Sequence, residues 1–389
     1  MSTSAQRRQY KGLAVLSRGY RPFFLGAAVW AVVSMLLWVF SIAGVFELPS
    51  AFSPADWHIH EMIFGYSGAI IAGFLLTAVP NWTGRLPIMG NGLLLLFSLW
   101  LLGRVAILFS AFLHPHLVMA VDLSFSIMLI FVIAREIIVG KNWRNLSVLM
   151  VLVFLFIANL LFHIEMMIYG EVNYPSLLGL SVVLVVIMLI GGRVIPSFTR
   201  NWLMRFGIDG LPVSKNRIDD LAMIISIFAL IAMVFLEQPY IVAGLLVLAG
   251  LLNVIRLARW AGHRTLSEPI VFVLHVGYSF VPLGFFALAS FILWPDVMPK
   301  ASAFHVWTAG AIGMMTIAMM TRVSLGHSGQ KIKSDKIIVA IYISMFASII
   351  LRFAADFLVQ YEFILNLSAT LWIVAYLLFL IRYWKMLTS

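Results

Sequence analysis

About twelve long apolar runs follow one another along the 389 residues of the chain, and no other feature limits the possible folds as much. Each run is close to the roughly 20 residues that an α-helix needs to cross a hydrocarbon core of about 30 Å. Because lipid-exposed backbone cannot leave its N–H and C=O groups unpaired, runs of this length predict helices rather than barrel strands. Hydrophobic residues make up 62% of the chain and charged residues only 11%, which excludes a soluble globular protein. We therefore predict an all-α polytopic integral membrane protein, a bundle of about twelve transmembrane helices in a lipid bilayer.

The distribution of Lys and Arg predicts the orientation of these helices. With the N-terminus inside, 23 of the 26 basic residues fall on the inner side and only Lys300 lies in an outer connection, as the positive-inside rule requires. Both termini are therefore predicted to be cytoplasmic, and the net charge of +10 needs no nucleic acid to explain it. We predict a single membrane domain over 1–389, with a basic cytoplasmic N-terminal segment over 1–22 and the longest cytoplasmic loop over 197–219.

Histidine is the principal metal ligand available, because the chain contains no cysteine. The absence of cysteine excludes iron–sulfur clusters, thiolate-ligated haem and covalently attached c-type haem. The predicted topology brings two acidic residues, Glu61 and Glu165, and four of the nine histidines near the outer ends of three helices. These histidines are His58, His60, His163 and His305. Four imidazoles are the number that a haem and a three-coordinate copper would need, although a single histidine at a helix end is commonly only a cap.

A second group of candidate residues lies toward the predicted cytoplasmic side. His275 and His327 belong to it, and about 33 Å of helix separates His327 from His305. The two ends of that helix therefore cannot share one metal. Arg193 and Arg322, at inner helix ends, could bind haem propionates or a quinone head group, but inner helix ends also keep positive charge without any ligand.

Two arginines lie within the apolar runs, where a charge is costly unless it faces the bundle interior and has a partner. For Arg104 the predicted partner is Asp122, and for Arg352 it is Asp356, four residues further on. Such pairs could fix the register of the helices, form part of a proton path or anchor a haem propionate.

The second and tenth predicted helices share a pattern of a histidine followed by glycine at the fifth and eighth positions. Small residues allow another helix or a flat macrocycle to approach the backbone closely, and helix packing is the commoner cause. The residues are His60, Gly65 and Gly68 in one helix and His305, Gly310 and Gly313 in the other.

Several long motifs resemble those of the NnrS family of bacterial inner-membrane proteins, and their order and spacing cover nearly the whole chain. They are RGYRPFFLGA (18–27), WHIHEMIFGY (57–66), GFLLTAVPNWTGR (73–85), GGRVIPSFTRN (191–201) and HVWTAGAIGMMTIAMMTRVSLGHSG (305–329). The resemblance implies a twelve-helix protein that binds haem and copper and is associated with nitric oxide metabolism and nitrosative stress. It raises the expectation that the histidines in or near these motifs include metal ligands.

This resemblance leads to a specific hypothesis, the reduction of nitric oxide to nitrous oxide by an oxidoreductase. Haem b and copper would supply the metals, Glu61 or Glu165 could pass protons, and membrane quinol could supply electrons. Under this hypothesis, His58, His60, His163 and His305 serve the outer metals, and His275 and His327 serve a second haem or a quinol pocket.

Two alternatives remain open at this point. The protein could bind nitric oxide at haem and copper without turnover, as a trap or a sensor that protects against nitrosative stress. It could also be a transporter, although no pair of Gly/Pro-broken helices stands at matching positions in the two halves of the chain. The sequence leaves the oligomeric state open as well.

Overall fold

The computed structural model describes residues 10–389, apart from the side chain of residue 81. The described chain is 80% helical and contains no strand, which confirms the predicted all-α class. Twelve of its helices are long and apolar enough to cross a membrane, which confirms the predicted number. The cytoplasmic placement of both termini stays a prediction, and residues 1–9 of the predicted basic segment over 1–22 lie outside the described residues.

We number the twelve membrane-spanning helices α1 to α12 in chain order. They are α1 (Tyr20–Ile42), α2 (Pro54–Pro80), α3 (Asn91–Leu108), α4 (Pro115–Val139), α5 (Trp143–Tyr169), α6 (Tyr174–Arg205), α7 (Arg217–Phe235), α8 (Pro239–Ala258), α9 (Pro269–Leu293), α10 (Lys300–His327), α11 (Lys336–Ala355) and α12 (Tyr361–Thr388). The helical backbone of α2 continues to Thr83.

The described residues form two compact units. The first unit comprises the described residues up to Val182 together with Phe379–Ser389, and the second comprises Val183–Leu378. The first unit therefore contains α1 to α5 and the second contains α7 to α11, while α6 and α12 each contribute residues to both. The single domain over 1–389 stays a prediction.

Several helices begin where the sequence supplies a cap or a proline. At the start of α2, Ser53 Oγ accepts a hydrogen bond from the N–H of Asp56 at 3.1 Å, and Pro54 occupies the first turn. Asp335 caps α11 in the same way and accepts from the N–H of Ile338 at 2.9 Å. These side-chain oxygens satisfy N–H groups that the first turn leaves unpaired, and proline is tolerated there because its missing N–H is not needed.

The longest predicted loop, over 197–219, is shorter in the structure. Helix α6 continues through Pro196 to Arg205, and α7 begins at Arg217. Only residues 206–216 between them are non-helical. Helices in membranes tolerate an internal proline because neighbouring groups satisfy the carbonyl that it frees, so this proline does not end α6.

Two spanning helices contain a π-helical segment directly after a histidine. In α2 the segment is Glu61–Tyr66, which follows His60, and in α10 it is Val306–Met314, which follows His305. A π-helix is a wider turn that occurs frequently at functional sites. The shared sequence pattern of these two helices is thus matched by a shared distortion of the backbone, and the same helices are the most buried of the twelve spans.

The second unit contains a buried polar network whose main groups pair with one another. Arg256 donates to Asp219 at 3.3 Å and to the hydroxyl of Tyr278 at 3.0 Å. That hydroxyl donates in turn to Asn253 Oδ1 at 2.8 Å. A Cβ at Gly192 would overlap the Arg256 guanidinium, which explains the second glycine of the GGRVIPSFTRN motif. We interpret this network as structural, because its buried groups already satisfy one another.

Close contact between α9 and α10 depends on Gly284. A Cβ at this position would overlap the indole ring of Trp307. That tryptophan is fully buried, and its Nε1 donates to the carbonyl of Val281 at 2.9 Å. The absence of a side chain at Gly284 therefore allows the indole to reach its hydrogen-bond acceptor on α9.

We expect Gly284→Ala to lower the free energy of unfolding by about 1–3 kcal/mol, because the added methyl group must displace a rigid indole from a close-packed site. Thermal unfolding of the purified protein in detergent measures this change. The matched control is Gly244→Ala in α8, where a Cβ would meet no atom within 4 Å. Equal thermal stability of the two variants would contradict the packing role of Gly284.

Candidate functional site

Six polar side chains from four helices meet inside the first unit, and we call them the polar cluster. They are His60 and Glu61 from α2, Arg104 from α3, Asp122 from α4, and Asn159 and His163 from α5. None of them is more than 3% exposed. Groups that are this costly to bury must satisfy one another or bind a ligand.

Arg104 connects three of these helices. Its Nη1 donates to Glu61 Oε1 at 2.7 Å, and its Nη2 donates to Asp122. This contact confirms the partner predicted for Arg104. The second predicted pair is also present, since Arg352 Nη1 lies 3.3 Å from Asp356 Oδ2.

Gly65 makes room for the Arg104 ion pair. A Cβ at this position would overlap Arg104 Nη1 and would lie 2.8 Å from Glu61 Oε2. The carbonyl of Gly65 also accepts from Trp100 Nε1 at 2.9 Å, one turn before Arg104 in α3. From the sequence, this glycine could serve either helix packing or close approach of a macrocycle. In the structure its neighbour is another helix, α3, with the charged side chain of Arg104.

Both ring nitrogens of His60 lie within hydrogen-bond distance of cluster residues. Nδ1 is 3.0 Å from Glu61 Oε1, and Nε2 is 3.0 Å from Asn159 Oδ1 and 3.3 Å from Asp122 Oδ2. Because Asn159 Nδ2 donates to Asp122 Oδ2 at 2.7 Å, the amide oxygen faces His60 Nε2. It can accept a hydrogen bond from Nε2 only when that nitrogen carries a proton, and Nε2 can bind an ion only when it does not. His163 Nε2 lies 3.1 Å from the same carboxylate oxygen. Two imidazoles therefore converge on one oxygen of Asp122.

The charges of the polar cluster are not balanced when both histidines are neutral. Two carboxylates, Glu61 and Asp122, then face the single guanidinium of Arg104. An excess charge is expensive in a buried site. One further positive charge, either an imidazolium or a bound cation, would complete the cluster.

The polar cluster offers three ligand atoms to one ion. His60, Asp122 and His163 each supply a nitrogen or a carboxylate oxygen, and these atoms lie within 4.8 Å of one another. The nitrogen–oxygen separations of 3.3 and 3.1 Å resemble the roughly 3.3 Å between neighbouring ligands of a tetrahedral ion with bonds of about 2.0 Å. Imidazole and carboxylate suit first-row transition metals. This group therefore suggests metal binding, with Asn159 as a hydrogen-bonding support for the carboxylate.

Aromatic rings enclose the histidines of the polar cluster. The ring centroids of Phe52, Phe64 and Phe162 lie 5.7, 5.2 and 5.0 Å from that of His60. These rings occupy the space beside the imidazole and exclude water from it. An ion fits between the three ligand atoms, whereas a flat porphyrin at His60 would have to displace the phenylalanines.

The structure places the other two predicted metal ligands in different surroundings. His58 is half-buried, and its ring stacks on Trp38 with centroids 4.3 Å apart. His305 belongs to the second unit, and its Nδ1 donates to the carbonyl of Ala301 at 2.7 Å. In the first unit the structure thus brings His60 and His163 together, and the set of four histidines stays a prediction.

The two predicted proton carriers also differ in their surroundings. Glu61 is fully buried, and its Oε2 has no hydrogen-bond partner in the part of the chain that the structure describes. Glu165 is half-exposed near the end of α5 and accepts from the N–H of Asn173 at 3.4 Å. Of the two, only Glu61 belongs to the polar cluster.

Two of the predicted cofactor-binding residues contact consecutive residues of α6 in the second unit. The guanidinium carbon of Arg322 lies 3.8 Å from the ring centroid of Phe198, and His275 Nε2 lies 2.8 Å from Thr199 Oγ1. Arg322 is only 9% exposed, and its Nη1 has no hydrogen-bond partner among residues 10–389. A buried charged N–H without an acceptor indicates a position for one.

Arg193 and His327 complete the predicted cofactor-binding set. Arg193 is exposed on α6, and His327 is the half-buried last residue of α10. Their roles stay predictions, because neither is among the buried groups that need a further partner.

Sequence reasoning missed Asn159 and the possible ligand role of Asp122. Asn159 precedes His163 by four residues, so both lie on one face of α5, and a polar amide one turn from a histidine in an apolar helix is a signal that could have been used. For Asp122 the sequence points only to a pair with Arg104. That its second oxygen faces two histidines depends on how three helices assemble.

The model of the family described as NnrS protein matches residues 14–389, which confirms the resemblance seen in the sequence. A search of curated proteins finds no match to the chain. The family match is consistent with a multi-pass membrane protein connected with nitric oxide. Because the match covers nearly every described residue, the chain belongs to the NnrS family.

Proposed function

We propose that the chain is a haem- and copper-containing protein of the bacterial inner (cytoplasmic) membrane that reduces nitric oxide to nitrous oxide with electrons from membrane quinol. The observation that carries this proposal is the buried donor set of His60, Asp122 and His163, with the carboxylate of Glu61 beside it. A redox-active ion next to a group that can move protons is what this reduction needs. The family's connection with nitric oxide supports the choice of substrate.

Copper is the ion that we assign to this donor set. His60 and His163 would supply imidazole nitrogens and Asp122 a carboxylate oxygen, and copper(II) is the divalent first-row ion that such sites bind most tightly. When bound, copper supplies one-electron redox chemistry and an open position for a diatomic ligand. Copper(I) would also balance the single excess negative charge of the polar cluster, and copper(II) would leave the cluster with one positive charge in excess. The hydrogen bond from Asn159 would hold the ligating carboxylate in place.

Haem b does not fit inside the polar cluster, because phenylalanine rings occupy the space beside His60. The predicted ligands outside the cluster are His58 and His305. At His305, the N–H of Nδ1 is directed to the carbonyl of Ala301, which makes Nε2 the basic nitrogen of the neutral ring. A histidine that binds a metal commonly donates its other ring N–H in this way. We therefore assign haem b to His305. The proton transfer of the reaction is assigned to other groups.

The proposed reaction forms an N–N bond between two nitric oxide molecules and breaks one N–O bond, whose oxygen leaves as water. It consumes two electrons and two protons, and the oxidation of one quinol to a quinone releases the same number of each. Glu61 is the group that we place on the proton path. Arg104 and His60 hold its Oε1, while its Oε2 lacks a hydrogen-bond partner among the described residues and can accept a proton. Glu165, at the half-exposed end of α5, receives no such role.

We assign quinol binding to the surroundings of Arg322 in the second unit. The buried Nη1 of Arg322 lacks an acceptor in the described chain, and a quinone carbonyl or a quinol hydroxyl oxygen would provide one. The ring of Phe198 below the guanidinium holds it in place by a cation–π contact. His275, oriented by Thr199, could take a proton from a quinol hydroxyl.

The double variant His60→Ala, His163→Ala is expected to lose the copper of the polar cluster, because two of the three ligands are removed. Element analysis of the purified protein, after growth with added copper, gives the copper content per chain. The matched control is His114→Ala, His116→Ala, which removes two exposed histidines whose rings lie 5.3 Å apart. An undiminished copper content in the first variant would overturn the assignment of copper to these donors.

Purified protein supplied with reduced quinol and nitric oxide distinguishes an enzyme from a binding protein. An enzyme continues to release nitrous oxide, whereas a protein that only traps nitric oxide stops after one stoichiometric uptake.

We expect Glu61→Gln to keep its copper and to lower the steady rate about 100-fold, as is typical when a proton-transfer group is removed. Glu165→Gln is the matched control and should keep the rate. If Glu61→Gln releases nitrous oxide at the rate of the parent protein, the proton path does not include this residue.

We expect Arg322→Leu to raise the KM for quinol about tenfold or more, because a hydrogen bond to a charged group contributes roughly 1.5–3 kcal/mol. The copper content should not change, since Arg322 lies outside the polar cluster. Steady-state kinetics at varied quinol concentration give the KM, and Arg200→Leu, which removes an exposed arginine of α6, is the control. If the two variants have the same KM as the parent, quinol binds elsewhere.

A further inference from the structure

An apolar cleft lies beside the polar cluster in the first unit. It is formed by α2, α4 and α5, and its lining includes Phe64, Gly68, Phe125 and Leu155. Ser126 is the one residue of this lining with a polar side chain. The cleft is thus an apolar space whose walls carry almost no hydrogen-bonding groups.

The cleft lies about one helical turn from the polar cluster along each of these three helices. In α2 and α4 the cleft residues come after the cluster residues in the sequence, and in α5 they come before them. Helices α2 and α4 cross the membrane in one direction and α5 in the opposite direction. The cleft therefore lies on the same side of the polar cluster in all three helices. The neighbouring cluster and cleft residues are His60 and Phe64, Asp122 and Phe125, and Asn159 and Leu155.

Phe64 belongs both to the cleft and to the surroundings of the polar cluster. Its ring lines the cleft, and its centroid lies 5.2 Å from that of His60 and 5.7 Å from that of Phe162. The ring of Phe64 is therefore close both to the cleft and to a proposed copper ligand.

The size and chemistry of the cleft suit a small uncharged molecule. Its interior has room for a molecule about the size of water. A much larger engineered apolar cavity of about 150 Å³ stays dry and binds xenon, and the lack of hydrogen-bonding groups in this smaller cleft likewise favours an apolar guest over water. At its rim, Ser126, Ile130 and Phe156 are partly exposed on spanning helices, where the surroundings are hydrocarbon. An uncharged diatomic gas dissolves better in hydrocarbon than in water and is therefore concentrated at this rim.

We propose that the cleft takes up a small uncharged diatomic gas from the hydrocarbon of the bilayer and passes it, beside Phe64, to the polar cluster. The delivery step rests on the proposed function, because it requires the gas to bind at the cluster. The uptake step depends only on the shape and the apolar lining of the cleft.

Gly68 provides a way to fill the cleft. A Cβ at Gly68 would have Phe125 as its neighbour at 3.8 Å, an ordinary contact. The first carbon of a side chain at this position therefore makes only an ordinary contact, and the remaining carbons of a leucine would occupy the small space of the cleft. The matched control is Gly244→Leu in α8, where no atom lies within 4 Å of the added Cβ.

Xenon is the probe for the uptake step. Crystals of the full chain, pressurised with xenon, should show an anomalous peak in the cleft of the parent protein and of Gly244→Leu, and the peak should be lost in Gly68→Leu. A parent cleft without xenon would overturn the uptake step. Continuous density for a lipid acyl chain in the cleft would also overturn it, because the site would then belong to lipid.

The delivery step is measured by the rate at which nitric oxide binds to the copper-loaded protein after rapid mixing. We expect Gly68→Leu to slow binding about tenfold, which corresponds to a barrier raised by about 1.4 kcal/mol, with no change in copper content. An unchanged rate in a variant that has lost the xenon site would overturn delivery.

If the parent binds nitric oxide but never turns it over, the proposed reduction fails while the cleft proposal stands. If the parent does not bind nitric oxide at copper, delivery fails with it, and the xenon result alone decides uptake.

Discussion

The buried guanidinium of Arg104 is the interaction on which the interior of the first unit depends. A charge within a membrane-spanning segment must find partners inside the protein, and this one finds carboxylates on two other helices. Removal of one partner from a buried pair typically costs about 3–5 kcal/mol, because an uncompensated charge remains. The positions of α2, α3 and α4 are therefore coupled through one side chain. Once Arg104 holds one oxygen of each carboxylate, Oδ2 of Asp122 is left to face the histidines and Oε2 of Glu61 is left without a partner.

The structural network of this protein differs from its candidate sites in one respect. The main buried groups of the network have hydrogen-bond and charge partners within the protein, whereas some groups of the candidate sites do not. The Arg256 guanidinium in the second unit reaches Asp219 and Tyr278, which explains its burial without a ligand. The polar cluster of the first unit is different, since it has one negative charge in excess when its histidines are neutral. Arg322 differs again, because a buried nitrogen of its guanidinium lacks an acceptor within the described chain. At the proposed copper and quinol sites, the described groups of the protein thus leave the electrostatics incomplete.

The sequence predicts the spans and the main ion pairs because both follow from the cost of exposing polar groups to lipid. Twelve apolar runs become twelve helices, and Arg104 meets Asp122 as the cost of an isolated charge requires. The meeting of His60 with His163 depends on which helices are neighbours, and spacing along the chain does not contain that information. The position of Asn159 one turn before His163 is visible in the sequence, whereas its contact with Asp122 depends on the neighbouring helix. The predicted loop over 197–219 began too early because the helix continues past the end of its apolar run, through Pro196 to Arg205, and a membrane helix can contain a proline.

The π-helical segment of α2 has a consequence for how this helix can change in evolution. A wide turn of this kind contains one residue more than the α-helical turn it replaces. Each residue of an α-helix advances the direction of the side chain by about 100°. A deletion of one residue between Glu61 and Tyr66 could therefore restore a regular helix and leave His60 and Gly68 in nearly their present relative direction. Conversion of the segment to α-helix without a deletion would instead turn His60 by about 100° relative to Gly68. The wide turn is thus what lets the helix contain the additional residue while His60 still points into the polar cluster.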